Sequence, residues 1–128
     1  MNKLLIPLII TLPLLFTACS SKLNYNSSFK KNVNLEEDYK ISGNIELYRN
    51  VGFLTETVQN RVILYIDNKL IVKAPLNENF SGRIELFYNK KPLTIECGKD
   101  NLFSQPKCNV FLNNQNLGNL EFRPDYLG

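Results

Sequence analysis

The chain has 128 residues, a formal net charge of +3, no histidine and no tryptophan. Histidine is the usual general base near neutral pH and the commonest metal ligand, so Ser-His, Cys-His and His-zinc sites are excluded. The near-neutral charge argues against a nucleic-acid partner, and the length suits one domain with one core.

Met1-Asn2-Lys3 carries a single positive charge. An apolar run follows from Leu4 to Phe16, interrupted by Pro7 and Pro13, and ends in the small residues Thr17 and Ala18 before Cys19. A charged start, an apolar middle and a small-residue end are the three parts of a secretory signal peptide. The run falls short of the roughly 20 residues that a spanning helix needs, which disfavours a retained transmembrane segment. Thr17-Ala18-Cys19 resembles the end of the lipobox of bacterial lipoproteins, with Phe16 where leucine is usual. The resemblance implies cleavage before Cys19, attachment of diacylglycerol and a further acyl chain such as palmitate to that residue, and residence outside the cytoplasm. Ser20, in place of Asp, implies the outer membrane where the host is Gram-negative. A plain secretory signal would instead leave a spare reactive thiol at the new terminus. Removing residues 1–18 takes away one lysine and no acid, so the net charge falls to about +2.

Residues 19–40 are polar, with no clear period of 2 or 3.6, and are expected to form a flexible tether behind the lipidated cysteine. Extended at roughly 3.3 Å per residue, such a segment would lift the domain several nanometres from the membrane. Lys30-Lys31 and the acidic run Glu36-Glu37-Asp38 fall in this stretch, where solvated charge is the simplest reading of both.

From Ile41 the pattern changes. Ile41, Gly43, Ile45 and Leu47 alternate with Ser42, Asn44, Glu46 and Tyr48, the period of a strand. Val62, Leu64 and Ile66 share one face of a second strand, with Arg61, Ile63 and Tyr65 on the other. Ile84, Leu86 and Tyr88 oppose Arg83, Glu85 and Phe87. Leu93, Ile95 and Cys97 oppose Thr94 and Glu96, and Cys108, Val110 and Leu112 oppose Asn109 and Phe111. Three apolar strand ends run into Asp67-Asn68, Asn89-Lys90 and Asn113-Asn114. Asp and Asn tolerate left-handed backbone angles, so each reads as a β-hairpin tip. No stretch carries a helical stripe. The expected fold is all-β: a small antiparallel sandwich or barrel of successive hairpins over residues 41–124, with a short tail at 125–128.

In an exported chain, Cys97 and Cys108 on the apolar faces of their strands are expected to form a disulfide, leaving Cys19 for lipid. The loop they close holds Lys99, Leu102-Phe103, Pro106 and Lys107. It reads either as a preformed contact loop with Phe103 as anchor or as an apolar cap over the end of the sheet. Lys69, Lys90 and Lys91 at hairpin tips are expected either to form a basic rim with Lys99 and Lys107, available to a partner, or to guard the sheet against aggregation. Tyr65, Phe87 and Phe111 read as a second apolar layer or as an exposed recognition stripe. Glu85 and Glu96 are candidates to face one another, but acid-base work by paired carboxylates needs a cleft that splits their pKa values. No metal or cofactor is expected. The reading is of a non-catalytic lipoprotein whose β-domain binds a protein or envelope component, or, by fold-level analogy, inhibits a cell-wall hydrolase or toxin.

Overall fold

The computed structural model describes residues 19–34 and 38–126; the expected signal peptide lies outside them, as do Glu36 and Glu37. Eight strands make up one antiparallel sheet: β1 (Cys19–Lys31), β2 (Ile41–Val51), β3 (Glu56–Ile66), β4 (Lys69–Leu76), β5 (Gly82–Tyr88), β6 (Lys91–Gly98), β7 (Lys107–Leu112) and β8 (Gln115–Asp125). The order β4-β3-β2-β1-β8-β7-β6-β5 is an up-and-down meander in which pairing of β1 with β8 curls the sheet into a nearly closed barrel. Its seam lies between β4 and β5, which touch without a hydrogen-bonded ladder.

The all-β class and the hairpin plan agree with the sequence pattern. At all three expected tips both turn residues are left-handed: φ is 51° and 66° at Asp67-Asn68, 50° and 65° at Asn89-Lys90, and 51° and 64° at Asn113-Asn114. Those angles define two-residue type I′ turns, whose twist matches that of the flanking strands. The flanking pairs Ile66 with Lys69, Tyr88 with Lys91, and Leu112 with Gln115 close each hairpin.

The tether reading fails over residues 19–31. Residues 19–31 form β1, whose first half pairs with β2 from Cys19 opposite Val51 to Asn26 opposite Asn44, and whose second half pairs with β8 as far as Lys31 opposite Gly118. Its inward residues are Leu23, Tyr25, Ser27 and Phe29, a thin alternation that the small polar Ser27 breaks. Ser27 faces a place where two strands part, and its Oγ accepts a hydrogen bond from the Gly43 N–H at 3.0 Å. Tyr39, from the connection before β2, packs against the core. The domain therefore begins at β1 rather than at residue 41, and Asp125, assigned to a tail, is the last residue of β8.

Inward residues of all the later strands meet in one core. Ile45, Val62, Leu64, Ile66, Leu93, Ile95, Cys108, Val110, Leu120 and Phe122 are fully buried. Outward positions carry charge and amides, an arrangement inverse to that of a membrane-spanning barrel, whose outer band is apolar. Gly118 sits at φ +142° where β8 passes β1; a Cβ there would lie 2.2 Å from the Lys30 carbonyl oxygen and 2.8 Å from the Phe29 ring. Only glycine fits that approach.

The strands alternate in direction, which sorts the connections onto two ends. One end, here the N-terminal end, gathers Cys19, the β2–β3 turn (52–55), the β4–β5 connection (77–81), the β6–β7 loop (99–106) and Tyr126. The opposite end gathers the connection after β1 and the three type I′ turns.

Candidate functional site

The disulfide is present: Cys97 and Cys108 are direct partners in the β6–β7 register, and their sulfurs are bonded. The loop it closes is organised by its own polar groups. Asn101 Oδ1 accepts from the Phe103 N–H at 2.9 Å, while Ser104 Oγ accepts from the Asn101 N–H and donates to the Asn101 carbonyl. Lys107 pairs with Asp100 at 3.0 Å, and the Lys99 ammonium lies 5.2 Å from the centre of the Phe80 ring. The side chains of Leu102 and Phe103 are in none of these contacts, and the two residues are 88% and 95% exposed.

The cap reading of Leu102 and Phe103 is thereby corrected. The residue that fills the N-terminal mouth is Phe80, buried in the core cluster with its ring edge-on to Tyr25 at 5.4 Å. The 77–81 connection is shaped to put it there. Asn77 N–H donates to the Ser81 carbonyl, Phe80 N–H donates to the Asn77 carbonyl, and the buried Asn60 amide donates to the carbonyls of Asn77 and Glu78. Phe80 itself sits at φ +64°, a conformation that costs about 1–2 kcal/mol for a residue with a Cβ. Its burial offsets that cost.

The basic rim is also divided. Lys69, Lys90 and Lys91 lie at the hairpin end and Lys99 and Lys107 at the N-terminal end, so no single surface joins the five. Tyr65, Phe87 and Phe111 point outward: Phe87 is 76% exposed, and the other two are half-buried on the outer wall rather than in a second core layer. Glu85 stands opposite Thr94, and Arg83 stands opposite Glu96. Arg83 bridges the two carboxylates, reaching Glu85 at 2.8 Å and Glu96 at 2.9 Å, so they are neutralised by a shared cation.

The most fully built polar site lies elsewhere, on the outer wall of β1, β2, β3 and β4. Glu46 is buried although it faces outward; Lys22 bonds its Oε2 at 2.6 Å, the Tyr48 hydroxyl donates to the same oxygen at 2.7 Å, and Lys73 stands 3.7 Å from Oε1. The Lys22 hydrogen bond, then that of Tyr48, holds the Glu46 carboxyl below the usual carboxylate range, and the same contact raises Lys22. Lys22 and Arg61 both lie over the Tyr48 ring, at 5.5 and 5.6 Å. Beside this cluster runs a groove of about 270 Å³ lined by Asn24, Asn26, Asn44, Ile63 and Asp125. Asn26 donates to Asp125 at 3.0 Å.

Chemically the arrangement is a fixed, ionised carboxylate among cations, flanked by amides that can both donate and accept. It suits recognition of a polar surface. Among the described residues no three potential ligands stand close enough to hold a metal ion. Sequence alternation placed Glu46 on an outward face but gave no sign of this network, because Lys22, Glu46, Tyr48 and Lys73 come from three strands and meet only through register. The chain matches no protein-family model, no curated protein and no solved structure.

Proposed function

We propose that the chain is an exported lipoprotein, acylated on Cys19 and placed on the outer membrane if its host is Gram-negative, whose barrel is a non-catalytic module that binds a protein or envelope component against its outer wall. The observation that carries the binding reading is where polarity lies. The interior is filled by fully buried apolar side chains, whereas the wall over β1–β3 holds a groove of amides beside the ordered Glu46 cluster. The anchoring reading rests on Thr17-Ala18-Cys19.

The test uses the full chain in its own envelope. Mass analysis of the amino-terminal peptide is expected to find acyl chains on Cys19. Crosslinking followed by capture is expected to recover a partner with the native chain and to lose it when the groove is filled by Asn24→Lys with Asn44→Lys. Capture unchanged by those substitutions, or no partner recovered at all, sinks the binding reading; an unacylated Cys19 sinks the anchoring reading.

A further inference from the structure

Most of the large apolar side chains that the described residues show to solvent gather at the N-terminal end of the barrel, Val33, Leu70 and Phe87 being those at the other end. Leu54 is 86% exposed and Phe53 77% in the β2–β3 turn, Leu102 88% and Phe103 95% in the β6–β7 loop, and Tyr126 81% after β8. Both loops have their shape set by other groups. The first is closed by the Gly52 N–H bonding the Thr55 carbonyl, the second by the disulfide and the Asn101–Ser104 bonds. The apolar side chains are thus presented on rigid supports, with little ordering left to do on contact.

Cys19 belongs to the same end. It is the first residue of β1 and stands opposite Val51, two residues before Phe53. Because β1 is part of the barrel wall, no linker separates that residue from the domain. An anchor there brings this end, and no other, against the bilayer. By topology the two apolar loops stand on opposite sides of the barrel, with the start of β1 and the end of β8 between them. Beside the tips Arg49 pairs with Glu56 at 2.5 Å and Lys107 with Asp100, while the Lys99 ammonium lies against the Phe80 ring. The end therefore offers apolar contact rather than a basic patch. Lys30 and Lys31 are at the far end of β1, where they pair with Glu121 and Asp38.

We propose that the N-terminal end of the barrel is a membrane-docking surface, with Leu54, Leu102, Phe103 and Tyr126 entering the headgroup boundary of the bilayer that holds the Cys19 anchor. Aromatic side chains favour that layer, and the depth of insertion follows apolar area. This rests on acylation of Cys19 and deepens it: the lipid holds the domain upright and flush, leaving the groove and the hairpin end to face outward.

The chain has no tryptophan, so a single introduced one reports alone. The full acylated protein is reconstituted into vesicles of phosphatidylcholine with brominated acyl chains, carrying Phe103→Trp, Leu54→Trp or, on the outer wall, Phe87→Trp. All three positions are exposed, so folding is not at stake. The first two are expected to shift their emission to the blue and lose intensity to bromine, and the third to do neither. With the acyl chains confirmed by mass, water-like emission from Phe103→Trp and Leu54→Trp overturns docking and leaves anchoring intact. Quenching of Phe87→Trp alone overturns the orientation. A blue shift in native envelope but not in vesicles assigns the surface to a protein instead, and an unacylated Cys19 overturns docking and anchoring together.

Discussion

Cys19 and Val51 face each other across the first register pair of β1 and β2. The residue that resembles a lipidation site is therefore also the first residue of a barrel wall. The segment behind it is bonded on both sides, to β2 and then to β8.

A chain begun at residue 41 lacks the strand that joins β2 to β8. It is expected to lose cooperative unfolding and to be cut rapidly by protease, because both flanking ladders are left open and Tyr25 and Phe29 are removed from the core. A chain begun at residue 20 is expected to unfold in one transition. Far-ultraviolet dichroism against urea compares the two, and a stable, cooperative fragment from residue 41 would restore the tether reading.

Phe80 and Phe103 are expected to respond oppositely to truncation. Phe80→Ala empties the mouth of the barrel and should destabilise by about 3 kcal/mol, part of it recovered by relief of the left-handed backbone in Phe80→Gly. Phe103→Ser alters a fully presented side chain and should stay within about 0.5 kcal/mol of the native chain. Urea midpoints at constant slope measure both.

Glu46 makes stability fall in acid. Its carboxyl titrates below the ordinary range in the folded chain, so its contribution is fully present above the unfolded pKa near pH 4–5 and is lost as pH drops through the folded value. Glu46→Gln is expected to cost about 1 kcal/mol at pH 7, a figure held down by the half-exposed Lys22 partner, with the gap from the native chain closing as pH falls through the carboxyl's lowered folded pKa. A difference that stays constant from pH 7 to pH 3 would remove Lys22 as the cause.

Reducing the Cys97–Cys108 bond reopens the loop between two adjacent strands. In the chain-entropy picture its loss costs about 3 kcal/mol for a loop of this size. Cys97→Ala with Cys108→Ala should therefore lower the urea midpoint, with a slope equal to or steeper than the native one because the unfolded chain is freer. Thiol titration of the unfolded, unreduced protein should find neither of the two reactive.

Much of the wall is legible in the sequence. Alternation from Ile41 onward, the Asp and Asn turn openers and the inward-facing cysteine pair led directly to β2, β3, β5, β6 and β7, the type I′ hairpins and the disulfide. β1 was not legible, since Ser27 interrupts its apolar face and its register depends on β2 and on β8, which is far away in sequence. The Glu46 cluster was invisible for the same reason, and Phe80 stands alone in a polar stretch of Asn77, Glu78, Asn79 and Ser81 that carries no apolar period. What the sequence determined by itself was everything set by neighbours along the chain: strand period, turn handedness, and the pairing of two cysteines across one loop. Which strand closes the barrel, which aromatic plugs it, and which loops share an end with Cys19 were decided only by the tertiary structure. Those relations are fixed by hydrogen-bond register between residues as distant as Asn24 and Asp125, and no local pattern encodes such a pairing.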